Sequence, residues 1–413
     1  MGYSNGFLKA ILGNSEKAFE TSKSRTSAYR QISKATGIAT DQLKYYNDRN
    51  IIPVGNDLAN ICSYYQITEV YLQLQMGIVD HNLIELLQSH AKSIEPILAP
   101  LAPRVVEENA PLNLAFSTEL GTMYQGDCLQ MMAHMESDSV DLVFADPPFN
   151  LNKLYPSKMD DSLKEEEYLK WSEMWLKECA RILKPGGSLF TWNLPQWNSR
   201  FAAFLHNRLS FKHWIATDIK YSLPINGRLY PAHYSLLYFV KGDKANVFSP
   251  DRLAAQVCPK CFDDLKDYGG YKHKMNPLGI NLSDVWLDIP PVRHAKYKKR
   301  AGSNELSIKL LDRIIEMSTN EGDIVFDPFG GSGTTYVVSE IKNRKWIGVE
   351  LDPCDIIKER FSDLSEEASY LKSIRSNFNQ LFPEKTKIQR IKRGLWTSES
   401  VRAKKAENTK DDS

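Results

Sequence analysis

Two textures of apolar and polar residues divide the chain. Through residues 26–90, apolar positions recur every three or four residues: Tyr29, Ile32, Leu43, Leu58, Ile61, Tyr65, Leu72 and Leu74. That is the spacing of helices with one buried face. From about residue 113, short continuous apolar runs alternate with amphipathic stretches. Residues 140–145 form such a run, and its brevity predicts a strand buried on both faces. Tyr168, Trp171, Trp175, Cys179 and Ile182 share one helical stripe, which Lys184-Pro185-Gly186-Gly187 should stop. Residues 188–192, 323–326 and 345–351 read as further strands, and 305–318 and 334–342 as helices. The alternation predicts an α/β fold with a sheet covered by helices, preceded by a small all-α domain.

Punctuation between these textures sets the expected boundaries. Residues 1–25 are polar and rich in Ser and Lys, a flexible arm ahead of the helical domain at 26–90. Prolines at 96, 100, 103 and 111 mark 91–112 as a linker, because proline resists both helix and central strand. The sheet domain spans 113–382, and the composition of 383–413 turns to that of a basic, disordered tail. Charge narrows the function. With 52 Lys and Arg against 51 Asp and Glu, the chain is no uniformly basic nucleic-acid binder. Any DNA-binding surface must therefore come from local clusters. Six cysteines without an export signal suit a reducing cytoplasm, and no apolar run approaches the roughly 20 residues of a membrane span. The expected location is cytoplasmic, with no membrane partner.

Two strand ends carry the chemistry. Residues 140–145 run into Asp146-Pro147-Pro148-Phe149, a carboxylate, a rigid turn and an aromatic face. Residues 323–326 run into Asp327-Pro328-Phe329-Gly330-Gly331-Ser332-Gly333, after which Thr334-Thr335 begins a helix. Glycines let backbone approach a ligand closely, and the free N–H groups of the helix start favour a negative group. A phosphate-binding loop would need lysine where Thr334 stands, and no Gly-x-Gly-x-x-Gly is present. Glu350, ending the next strand, has the type and place to accept both hydroxyls of a ribose.

In this order the two motifs resemble the permuted (beta-class) DNA amino-methyltransferases, over roughly residues 120–355. The resemblance implies a Rossmann-like methyltransferase sheet with permuted motif order and S-adenosylmethionine as cofactor. It implies cofactor contacts from Phe329, Gly331, Gly333, Thr334 and Glu350, and an adenine contact from Asp127 of Gly126-Asp127-Cys128-Leu129. Residues 305–318 would help to hold the methionine end. Catalysis would rest on Asp146, Pro147, Pro148 and Phe149, acting on a base flipped out of the duplex. Aspartate at the first place points to adenine N6, with cytosine N4 the alternative. The cationic run Arg293, Lys296, Lys298, Lys299 and Arg300 falls in the target-recognition region, about 245–302, and should contact phosphates. Double-stranded DNA is the implied substrate. A cognate restriction endonuclease and a second copy of the chain are the further partners such a protein takes. An RNA methyltransferase, or a DNA-binding regulator with a silent methyltransferase domain, are the rival readings.

Residues 31–77 resemble a phage-repressor helix-turn-helix module. Gly37 makes the turn, 40–47 forms the groove-entering helix, and Gln42, Lys44 and Asn47 are the residue types that reach bases and phosphates. A helical bundle for protein contacts is the other reading. Cys258-Pro259-Lys260-Cys261 suggests zinc, but a structural zinc takes four ligands, and His273 and His294 fit no standard spacing. No metal is expected. Cys354, just past Glu350, is read as incidental, not as a carbon-methylating nucleophile.

Overall fold

The computed structural model describes residues 6–13, 22–98, 112–151, 163–219, 226–227, 229, 231–258, 260–266, 276–290 and 305–399. The chain divides into two compact units. One is the N-terminal region to residue 107 with 150–153 and 160–172; the other is the remainder.

The N-terminal unit is helical. Its helices are α1 (Gly6–Leu12), α2 (Ser22–Thr36), α3 (Thr40–Arg49), α4 (Asn56–Tyr65) and α5 (Glu69–Met76). Two more follow, α6 (His81–Ser89) and α7 (Ala91–Leu98). Ile32, Leu43, Ile61 and Leu72 meet in one core, as their spacing predicts, whereas Leu74 is 52% exposed. Two expectations are corrected here. Within the expected arm at 1–25, Phe7 and Leu8 of α1 are fully buried in that same core. Removing two such side chains from water stabilises the unit by about 1.5–3 kcal/mol each. Within the expected linker at 91–112, α7 runs through Pro96, which tolerates helical φ at the loss of one backbone hydrogen bond.

The second unit is built on a sheet. Its first half contains β1 (Asn113–Ser117), β2 (Gly121–Gln125), α8 (Cys128–His134), β3 (Val140–Ala145), the part of α9 (Glu165–Ile182) from residue 173 on, and β4 (Leu183–Asn193). Next come α10 (Pro195–Leu205), β5 (Ser210–Asp218), β6 (His233–Val240), β7 (Arg252–Leu253), β8 (Ile280–Asn281) and β9 (Val285–Trp286). The last part holds α11 (Ile308–Ser318), β10 (Ile324–Asp327), α12 (Thr334–Ile341), β11 (Lys345–Glu350), α13 (Asp355–Arg360), α14 (Ser365–Arg375) and α15 (Glu384–Lys392).

Among the described residues nine strands form one sheet in the order β1-β2-β11-β10-β3-β4-β6-β5-β9. The run β2-β11-β10-β3-β4 is parallel throughout. Parallel strands are buried on both faces, which is why Val140 and residues 142–145 are all fully buried. Strand β4 starts earlier than expected. The stretch Lys184-Pro185-Gly186-Gly187 belongs to it, with Gly186 at φ 79° and a register shift against β3. The helix α11 starts at Ile308, three residues later than expected, because Ser307 takes the extended N-cap conformation.

The expected disordered tail is also corrected. Arg390 of α15 is fully buried, its guanidinium 4.6 Å and 4.8 Å from the ring centroids of Phe382 and Trp396. It donates to the carbonyls of Phe262, Asp263 and Trp396. Residues 383–399 thus carry a helix anchored through Arg390, with most other side chains exposed; 400–413 lie outside the described residues.

Candidate active site

Parallel strands put all their carboxyl ends on one edge, and ligands of open α/β sheets bind outside that edge. Here the edge gathers four acids. Register pairs Glu350 with Gln125, so Asp127 follows β2 beside the end of β11, and Gly126 N–H donates to the Glu350 carbonyl at 2.9 Å. Asp327 ends β10, and Asp146 follows β3, the strand next to it.

The glycine turn is built by backbone donors. Asp327 is 3% exposed; its carboxylate accepts the Phe329 N–H at 2.9 Å and the Thr335 hydroxyl at 2.6 Å. Burial pushes the Asp327 carboxyl well above the usual range, against those two hydrogen bonds, and the charges of Asp146 and Glu350 push the same way. Phe329 packs edge-on against Trp175, ring centroids 5.3 Å apart. Gly331 N–H donates to Glu350 Oε2 at 2.6 Å, and Asp352 N–H to Glu350 Oε1 at 2.9 Å. Burial also raises the Glu350 carboxyl, which these backbone donors oppose. Each carboxylate oxygen keeps a further lone pair for a ligand hydroxyl.

Two glycines are required for different reasons. Gly333 has φ 76°, and a Cβ there would lie 2.7 Å from Ile357. Gly331 has φ 53°, but a Cβ there would meet nothing nearer than the Phe329 carbonyl at 3.9 Å. The space over Gly331 is therefore a cradle that a side chain would fill. Turn, cradle and acid fit the ribose and amino-acid ends of S-adenosylmethionine. The side chain of Thr334 is 3% exposed and its Oγ1 donates to the Leu306 carbonyl at 3.4 Å, tying the segment before α11 to the turn. Asp127 caps α8, accepting the N–H groups of Leu129 and Gln130 through Oδ1.

At the other strand end, Asp146 and Pro148 are half-buried, and Pro147 is buried. Phe149 is 9% exposed, its ring 6.1 Å from that of Tyr234. Its carbonyl accepts the indole N–H of Trp197 at 2.8 Å. Trp197 lies in the first turn of α10, where Pro195 starts the helix. Two supporting residues stand outside the sequence-predicted set: Asp327, which belongs to the motif but has no role in it, and Trp197. Thr335, eight residues past Asp327, could have signalled the first; nothing in the pattern signals the second.

The remaining candidates scatter. Gln42 and Lys44 are exposed on α3, after a turn in which Gly37 has φ 76°. Asn47 is 1% exposed, and its Oδ1 accepts the Leu8 N–H at 3.2 Å. That correction removes Asn47 from the base-reading set, since the buried amide of α1 needs it. Arg293, Lys296, Lys298, Lys299 and Arg300 lie outside the described residues, as do His273 and His294. Cys258 and Cys261 are free thiols. Among the described residues no group of three His, Cys, Asp or Glu could hold a metal, and no helix is long and apolar enough to cross a membrane. Burial pushes the Cys354 thiol up to about 12, which leaves it protonated and a poor nucleophile.

A parallel run of strands within a mixed sheet, with a glycine turn, an acid at the next strand end and an Asp-Pro-Pro-Phe corner beside them, is the arrangement of a nucleoside-dependent transferase of the S-adenosylmethionine type. The chain belongs to the N6/N4 DNA methylase family, whose match covers residues 140–359, and its methyl donor is S-adenosylmethionine. It is 45% identical to the type II methyltransferase M.BamHI of Bacillus amyloliquefaciens, over 96% of this chain and 94% of that one. It is 32% identical to the type II methyltransferase M.HpaI of Haemophilus parainfluenzae, over 57% of this chain and 72% of that one. It is also 32% identical to the DNA adenine methyltransferase YhdJ of Escherichia coli, over 57% and 80%. Among solved structures, the PvuII cytosine-N4-specific DNA methyltransferase aligns over 64% of this chain with a TM-score of 0.46 and 22% identity.

Proposed function

We propose that this chain methylates an exocyclic amine of a base at a specific site in double-stranded DNA, with adenine N6 as the target. The observation that supports it is the meeting of Asp146 with the glycine turn and Glu350 on one sheet edge. An exocyclic amine is a poor nucleophile because its lone pair is delocalised into the ring. Asp146 accepts one of its N–H bonds and the Pro147 carbonyl the other, which localises the lone pair and gives the departing proton a destination. Proline suits that place, since it offers a carbonyl with no N–H of its own. Phe149 supplies the aromatic wall for the flipped base. When bound, S-adenosylmethionine supplies an electrophilic methyl. Gly331, Gly333, Thr334 and Glu350 hold it in line with the amine, and Asp127 adds the adenine contact.

Adenine rests on aspartate at position 146 and on the likeness to a relative named as an adenine methyltransferase. The likeness to type II methyltransferases supports a role as the modification half of a restriction–modification pair. Residues 245–302 serve target recognition, with the 293–300 cations on phosphates. The α2–α3 pair, with Gln42 and Lys44 exposed, serves as a second DNA contact.

The test is mass spectrometry and modified-base sequencing of DNA from cells expressing the chain, against an Asp146→Ala control. N6-methyladenine at one motif, lost in the control, is the expected result. N4-methylcytosine in its place would overturn the base and keep the corner's chemistry. Unmodified DNA from cells whose folded protein binds S-adenosylmethionine would overturn the proposal.

A further inference from the structure

The glycine turn is backed by a buried ion pair that the transfer chemistry does not use. Arg360 closes α13 and Glu367 lies in the first turn of α14; each is 4% exposed. Arg360 Nε donates to Glu367 Oε1 at 2.9 Å. Its Nη1 donates to the Ser332 carbonyl at 2.9 Å and to Thr334 Oγ1 at 3.0 Å. Ile357, on the same helix, is the residue that a Cβ at Gly333 would strike. Helix α13 thus meets all three residues of Ser332-Gly333-Thr334. Both charged residues stand beyond the end of the family match at residue 359.

Stability alone is a weak reason for such a pair. Two charges taken out of water regain little beyond what a well-packed apolar pair of the same volume would give. What the pair adds is position. A planar guanidinium holds its donors in a fixed fork, so Glu367 on one side sets where the other donors point. Those donors end on the carbonyl and hydroxyl that flank Gly333, the N-cap of α12. We propose that Arg360, locked by Glu367, is a positioning residue that fixes the turn so that its backbone stands ready for S-adenosylmethionine. The inference depends on the cofactor and not on which base is methylated.

The obvious variant, Arg360→Leu, strands the Glu367 carboxylate in the interior and risks unfolding the chain. The double variant Arg360→Leu/Glu367→Leu removes both charges and keeps apolar volume. With the full-length protein, S-adenosylmethionine binding is measured by calorimetry, and turnover on unmethylated plasmid DNA gives KM and kcat. The expected result for the double variant is a folded protein with a modestly lower melting midpoint, since the Ser332 carbonyl loses its donor, and with cofactor affinity roughly tenfold weaker. The cofactor KM should rise in step, with kcat at saturating cofactor nearly unchanged. Parental cofactor affinity would overturn the proposal, as would a fall in kcat at unchanged KM. Should the double variant fail to fold, Glu367→Gln decides, because it keeps the shape and loosens the lock. A raised cofactor KM supports positioning, and a lower melting midpoint with unchanged KM makes the pair merely structural.

Discussion

Two neighbouring strand ends face the reaction in opposite chemical senses. At the end of β10 the chain turns through glycines and presents N–H groups, one of which already donates to Glu350. At the end of β3 it turns through Pro147 and Pro148, which have no N–H, and presents acceptors. In the proposed function, the cofactor's carboxylate and ribose hydroxyls need donors and an acid, which the first offers together with Glu350 at the end of β11. The amine of the proposed reaction must lose a proton and needs acceptors alone, which the second offers. Glycine and proline, the two extremes of backbone freedom, divide the labour between two strands one hydrogen-bond spacing apart.

That division can be broken by substitution. The largest effect belongs to Asp146→Ala, which removes the carboxylate acceptor. The expected loss in kcat is about 10²–10⁴-fold, the usual contribution of a positioned general base. Cofactor affinity, measured by calorimetry, should stay within about threefold of the parent. Loss of both together would show that the two strand ends do not act separately. Next is Gly331→Val, a branched side chain at φ 53° pointing into the cradle. Cofactor affinity should fall roughly a hundredfold. Unchanged affinity would take Gly331 out of the site.

A smaller effect tests what holds the proline corner. Trp197→Phe keeps the aromatic packing of α10 but removes the donor to the Phe149 carbonyl. An unsatisfied buried carbonyl costs about 1–3 kcal/mol, which the corner can avoid only by shifting. A fall in kcat of about tenfold is expected, with cofactor affinity unchanged. A matching loss of cofactor affinity would mean that Trp197 supports the whole edge and not the corner.

Both strand ends were legible in the sequence because each is continuous. Residues 140–149 and 323–335 each hold a strand, its turn and its chemistry within about a dozen positions, so period and turn residues point to one answer. What escaped lies between distant segments. Phe7 and Leu8 sit in a seven-residue helix too short to show a period, and their place depends on partners from Tyr29 to Met76, far along the chain. Asn47 has the residue type of a base contact, yet Leu8, 39 positions away, claims its side chain. Arg390 was counted with a solvated tail, although two aromatic faces and three carbonyls bury it. Composition records charge, and packing decides whether that charge meets water.

The smallest expected effect concerns Glu350, the acid at the end of β11 that accepts the Gly331 N–H. Burial raises the Glu350 carboxyl above its ordinary value near 4.5. In the pH window between these values, the folded chain binds a proton that the unfolded chain does not. Glu350's contribution to stability is therefore complete below about 4.5 and is lost as pH rises through the raised value. Cofactor binding has the reverse sign, because ribose hydroxyls donate best to an ionised carboxylate. Acidification should thus raise the part of the melting midpoint that Glu350 governs while weakening cofactor affinity. Glu350→Gln should flatten both slopes, at a lower affinity throughout. Calorimetric affinities and melting curves from about pH 8 to about pH 5, for parent and variant together, check the two signs. Identical slopes in both proteins would move the titration to Asp327, which burial raises further and which touches the turn through Phe329 and Thr335.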